Sequence, residues 1–136
     1  MASAVRRLES MSQSRPMNQV LEEGIRLFNR QKYFEAHEAL EAVWLKAEGE
    51  EKTFLHGLIQ VAAAFHHYTR GNPAGFRSLL DKGWKKLERF GAVRDELDLA
   101  SLRKQLQPWR DFQRGASPSR ISAPLPLPRI EIAKSG

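Results

Sequence analysis

The chain has 136 residues, 41% of them apolar, with 22 Lys plus Arg against 16 Asp plus Glu for a formal net charge of +6. That length suits one compact domain rather than two. The absence of cysteine excludes disulfides, thiolate zinc sites, iron–sulfur ligation and a cysteine nucleophile. Residues 17–113 hold 15 basic and 14 acidic side chains, so the positive total belongs mainly to the ends, and nucleic acid is not an expected partner.

Residues 1–16 carry Arg6, Arg7 and Arg15 but no apolar run of secretory length. They are expected to form a disordered N-terminal segment ahead of a helical domain over 17–113. Apolar residues then recur at three and four positions, with helix punctuation between the periodic blocks, which predicts five helices. The first spans about Asn18 to Asn29, with Val20, Leu21, Gly24, Leu27 and Phe28 on one face. The second runs from about Tyr33 to Ala47 and closes near Gly49, a residue suited to a helix C-terminus. The third covers about Lys52 to Arg70 and is stopped by Gly71. It is apolar nearly all round, as a helix surrounded by others must be, and Gly57 and its alanines would let a partner backbone come close. Asn72 caps a fourth helix with Pro73 at its first position, where the missing amide costs nothing, and that helix continues to about Phe90. Asp98 caps a fifth, Leu99 to Phe112.

Short connections make neighbouring helices antiparallel. The fold class is therefore all-α: a compact bundle of about five helices, or stacked antiparallel hairpins, followed by a Pro-rich tail over 114–136. Its Pro124–Pro128 stretch cannot join a helix. It either straps across the bundle through Leu125, Leu127 and Ile130 or is disordered. The longest apolar stretch, Gly57 to Phe65, is far short of the ~20 residues of a membrane span, and a cytoplasmic protein is expected.

On a helical wheel, His37 and Glu41 fall inside the apolar arc of the second helix, flanked by Phe34, Trp44 and Leu45. A carboxylate there must be paired or hydrogen-bonded, and His37, one turn back, is its nearest candidate partner. Glu38 falls on the wet side. The third helix presents His56, Gln60, Ala63 and His67 in a narrow sector, while His66 points among Leu55, Ile59 and Ala62. If that sector faces the second helix, His37, Glu41, Gln60 and His67 converge into a polar pocket for a small ligand or a partner segment. His37, Glu41 and His67 would then suffice to hold a divalent metal, zinc or ferrous iron, for a hydrolase or oxidase, with Glu38 or Gln60 positioning water. Alternatively, the sector is the edge of the third helix that meets water and His37–Glu41 is a structural pair.

The run Phe28 to Trp44, with its His-x-x-x-Glu-x-x-Trp pattern at His37, Glu41 and Trp44, together with Phe54 to His67 and the Gly71-Asn72 turn, resembles the prokaryotic domain of unknown function 309 family over roughly residues 20–90. The resemblance implies a small all-helical fold and no established activity.

Two further features suggest surfaces. Lys82, Lys85, Lys86 and Arg89, with Arg77, make a basic face beside Trp84, which is read as a solvated helix face with a core tryptophan rather than a nucleic-acid site. The first two helices resemble a single tetratricopeptide-type hairpin through Gly24, Leu27, Ala36, Leu40 and Val43, a unit that could serve as an interaction or homodimer face. No glycine-rich phosphate loop and no Gly-x-Ser-x-Gly elbow is present.

Overall fold

The structure, a computed structural model, describes residues 18–113 and 125–133. The expected disorder of residues 1–16 falls outside the described residues. Five helices and one small hairpin follow in chain order: α1 (Gln19–Asn29), α2 (Tyr33–Trp44), α3 (Gly49–Thr69), α4 (Pro73–Leu87), β1 (Val93–Arg94), β2 (Leu97–Asp98) and α5 (Leu99–Gln113). The protein is an all-α bundle in which each helix packs on the next and α3 is held between α2 and α4. No helix among the described residues is long and apolar enough to cross a membrane.

The helix ends follow local chemistry. Asn18 accepts hydrogen bonds from the N–H groups of Val20 and Leu21, starting α1, Asn72 accepts from Gly75 N–H with Pro73 at the first turn of α4, and Asp98 accepts from Ser101 N–H (2.9 Å) at α5. Each satisfies amides that a helix start leaves without partners. The α1–α2 and α3–α4 connections share one closure. After α3, Gly71 takes φ +73° while Asn72 N–H returns to His67 C=O (2.9 Å) and Gly71 N–H to Tyr68 C=O (3.1 Å). After α1, Gln31 takes φ +65°, and Lys32 and Gln31 return to Leu27 and Phe28 (2.9 Å each). Both are paired-bond helix stops built around a left-handed residue.

Three boundaries differ from expectation. α2 ends at Trp44, and Gly49 (φ +61°) opens α3 instead of closing α2. α4 stops at Leu87, where the Arg103 guanidinium donates to the carbonyls of Leu87, Phe90 and Gly91 (3.2–3.3 Å). The chain then forms an unexpected hairpin, Val93 opposite Asp98 and Arg94 opposite Leu97, turning through Asp95 (φ +51°) and Glu96 (φ +67°).

The core is aromatic at its centre. Phe65 of α3 meets Phe76 and Trp109 edge-on, with centroids 5.1 Å away in both cases, and also contacts Phe28 and Tyr33, so one ring touches side chains from α1, α2, α4 and α5. Residues 125–133 lie across the bundle, with Ile130 buried and Leu125 and Leu127 packed on the core. Of the two alternatives for the Pro-rich tail, this stretch takes the strap.

Candidate functional site

α2 has a buried face of Tyr33, Ala36 and Leu40. Leu40 sits over Gly24 of α1, where an added Cβ would come within 2.9 Å of its Cδ2, so the first hairpin closes around a small residue as its tetratricopeptide-like pattern suggested. The edge next to that face carries Phe34, His37, Glu41 and Leu45, and it corrects the expected buried arc. Phe34 is 49% and Leu45 68% exposed, and the Glu41 side chain is 48% exposed against 28% for His37. The wheel arc was too wide: Tyr33, Ala36 and Leu40 are buried, while the line one step further round is only partly covered, by His66 of α3 against Phe34.

His37 and Glu41 are neighbours without a hydrogen bond. Nδ1 to Oε1 is 3.8 Å, beyond hydrogen-bond reach, and His37 Nδ1 is a buried atom without a partner among the described residues. The imidazole lies parallel to the Phe34 ring (6.3 Å, 17°), and Phe34 in turn meets His66 (5.3 Å). Burial holds the His66 pKa below the ordinary histidine value, with Arg70, His67 and His37 adding to the effect and Glu35 opposing it. His66 is thus the α3 histidine beside the Phe34–His37 end of the motif.

His67 is placed elsewhere. The Asn72 oxygen is committed to Gly75 N–H (3.1 Å), so its amide nitrogen donates to His67 Nδ1 (3.0 Å), which leaves the imidazole proton on Nε2. An added Cβ on Gly75 would stand 3.0 Å from that ring, so His67 is packed into the α3–α4 turn. Gln60 is buried with Oε1 unpartnered among the described residues. At the far end of the face, Trp44 lies 5.7 Å from His56 with the Lys52 ammonium over its indole (4.4 Å). Burial first, then Lys86, lowers the His56 pKa. Glu38 is exposed.

The structure therefore brings together His37, Glu41, Phe34 and His66 along one edge and Trp44 with His56 at its end; the His67 ring stands 5.8 Å from that of His66, but its Nδ1 is committed to Asn72 in the α3–α4 turn. No group of three His, Asp or Glu side chains among the described residues is arranged to hold a metal ion, so the His37, Glu41 and His67 ligand set is not assembled. Beside Phe34 and His66 opens a cleft of about 540 Å³ lined further by Lys32, Glu35, Thr69 and Arg70. Two members of the basic face beside Trp84 are paired: Lys85 with Asp81 (3.0 Å) and Arg89 with Glu50 (3.0 Å). Trp84, packed against the core, donates to Glu88 and lies under Arg110.

A helical-hairpin module whose motif residues form a shallow, half-exposed edge is the class of protein this geometry defines. The chain belongs to the domain of unknown function 309 family, whose sequence profile matches residues 21–79. A solved structure of a conserved hypothetical protein from Thermus thermophilus is similar, with 39% sequence identity, coverage of 69% of this chain and 95% of that one, and a TM-score of 0.56. No curated protein matches the sequence. The family match ends inside α4, so the hairpin, α5 and the strap lie beyond it.

Proposed function

We propose that the chain is a binding module and that the His37–Glu41–Trp44 edge docks a segment of a partner protein carrying apolar and cationic side chains. The observation that supports this most directly is the exposure of Phe34 and Leu45 on either side of a histidine and a glutamate that do not satisfy one another. Large apolar side chains exposed along one helix edge are a recurrent mark of partner surfaces, and amphipathic segments are recognised through anchors one or two turns apart. The expected charge of the partner follows from α2 itself, which carries Glu35, Glu38 and Glu41 and no Lys or Arg. An open edge of this kind suits a side-chain anchor better than the enclosed apolar pocket a small molecule needs.

Selection of peptides from a displayed random library on the full chain tests the reading. Selected peptides should be enriched in Lys or Arg beside Leu, Ile or aromatic residues. They should lose at least about tenfold in affinity, about 1.4 kcal/mol, against His37→Ala with Glu41→Gln or against Phe34→Ala. The double variant should stay within about 1–2 kcal/mol of the parent in stability. Selected peptides that bind both variants as well as the parent, or unfolding of the double variant, would overturn the proposal in favour of a structural pair.

A further inference from the structure

The strap over residues 125–133 is held largely through its backbone, with the Arg129 guanidinium also donating to the Asn29 carbonyl (3.3 Å) and Leu125 and Leu127 packed on the core. The Asn29 side chain of α1 grips Ile130 at both polar groups: Nδ2 donates to the Ile130 carbonyl (2.9 Å) and Oδ1 accepts from its N–H (2.7 Å). One residue earlier, Gln105 of α5 does the same for Arg129, accepting from its N–H (2.8 Å) and donating to its carbonyl (2.9 Å). Gln105 is itself steadied by Ser101. Trp109 Nε1 donates to the Pro126 carbonyl (3.0 Å). Further along, the strap adds to the hairpin edge, with Asp98 N–H donating to Glu131 C=O (2.9 Å) and Ala133 N–H to Glu96 C=O (2.7 Å), and Leu97 bridging Ile132 in antiparallel register. Ile130, 1% exposed, inserts its side chain, and Pro128 two residues earlier is buried as well.

Two amides on separate helices that each clasp both backbone groups of successive residues form a slot for an extended chain, in the manner of strand addition: main-chain bonds supply affinity and the buried Pro128 and Ile130 side chains supply selectivity. We propose that this slot is an interaction surface whose fitting partner is the same strap, residues 125–133, of a second copy of the protein, so that the strap is an exchangeable ligand held in cis. The slot's contacts do not depend on which copy supplies the segment. The strap joins α5 through residues 114–124, eleven residues that reach up to about 40 Å when extended, more than the ~32 Å length of α3. Exchange between copies replaces each cis contact with an identical trans contact, which is why such swaps cost little.

The experiment keeps the full chain. A protease site is placed within residues 114–124, the purified protein is cut, and a labelled peptide of residues 125–133, representing the strap of a second copy, is equilibrated with it. The helical signal is expected to persist after the cut, and the peptide to exchange with the severed strap and bind saturably. Binding should weaken at least about tenfold when the protein carries Asn29→Ala with Gln105→Ala, or when the peptide carries Ile130→Asp. Uncut protein, whose own strap competes at a local concentration on the millimolar scale, should bind the peptide at least about tenfold more weakly. Separately, uncut protein held concentrated just below its unfolding midpoint and then cooled should yield a dimer by light scattering, in a fraction that rises with concentration and vanishes with Ile130→Asp. Loss of the helical signal on cutting, peptide binding indifferent to those substitutions, or a monomer at every concentration would each overturn the proposal.

Discussion

Gly83 of α4 lies against Gly57 of α3 so closely that a Cβ built on Gly83 would stand 3.0 Å from the Gly57 carbonyl oxygen and 2.9 Å from Val61 Cγ2. Backbone cannot yield as a flexible side chain can. Gly83→Ala should therefore push α3 and α4 apart and cost about 1–3 kcal/mol, the usual range for overpacking a filled core. Urea unfolding followed by helical circular dichroism measures it. A loss under about 0.5 kcal/mol would show that the helices tolerate the wedge.

Gln31 offers the opposite opportunity. It holds φ +65° in a turn that is otherwise the counterpart of the glycine-closed turn at Gly71, and a side chain in the left-handed region costs about 1 kcal/mol relative to glycine. Gln31→Gly is expected to stabilise the protein by up to about 1 kcal/mol, offset in part by the greater freedom glycine gives the unfolded chain. An unchanged or lower denaturation midpoint would count against it.

The Tyr33 hydroxyl is buried without a hydrogen-bond partner among the described residues, and burial, reinforced by Tyr68, pushes its pKa up to about 12 from 10.0. Between those values the unfolded chain releases the proton while the folded protein keeps it, so stability is intact below pH 10 and declines as pH rises towards 12. Tyr33→Phe should flatten that alkaline loss and leave stability at neutral pH unchanged or raised by up to about 1 kcal/mol. Denaturation midpoints measured at pH 8 and 11 on both proteins decide it.

His56 and His66 titrate the other way. Burial and neighbouring cations lower both pKa values, so the unfolded chain takes up protons first as the solution is acidified. The contribution is therefore present above the ordinary histidine pKa of about 6.5 and is lost as pH falls below it. Midpoints compared at pH 7.5 and 5.5 should fall more in the parent than in His56→Gln with His66→Gln. Equal falls would assign the acid sensitivity to other groups.

The helical architecture was legible because its punctuation is unambiguous: Asn72-Pro73, Gly71 and Asp98 each act where the sequence places them. The hairpin was not. A two-residue turn with both φ angles positive is ordinarily announced by Asn-Gly or Asp-Gly, and here Asp95-Glu96 occupies it, on strands too short for alternation to show. At the candidate site, the wheel correctly put His66 and His67 on different faces of α3. Which face meets α2, however, depends on how the helices pack, and the convergence was expected on the side of His67. The exposure of Glu41 was hidden for a related reason: apolarity at Phe34 and Leu45 signals burial in any single-helix reading, whereas this bundle leaves that edge only partly covered.

Asn29 and Ile130 are 101 residues apart in sequence, which bears on the order in which the protein folds. Bringing ends together over a loop of that length carries a length-dependent entropy of about 4 kcal/mol, whereas once α1 to α5 have assembled the separation that remains to be closed, eleven residues in sequence, carries only about 2 kcal/mol. The hairpins form from near-neighbour contacts, which are reached quickly, and the strap clasps come last. The final contacts made are the first able to open, so the Ile130 amide should exchange its hydrogen through a partial opening of lower free energy than the amides of α3.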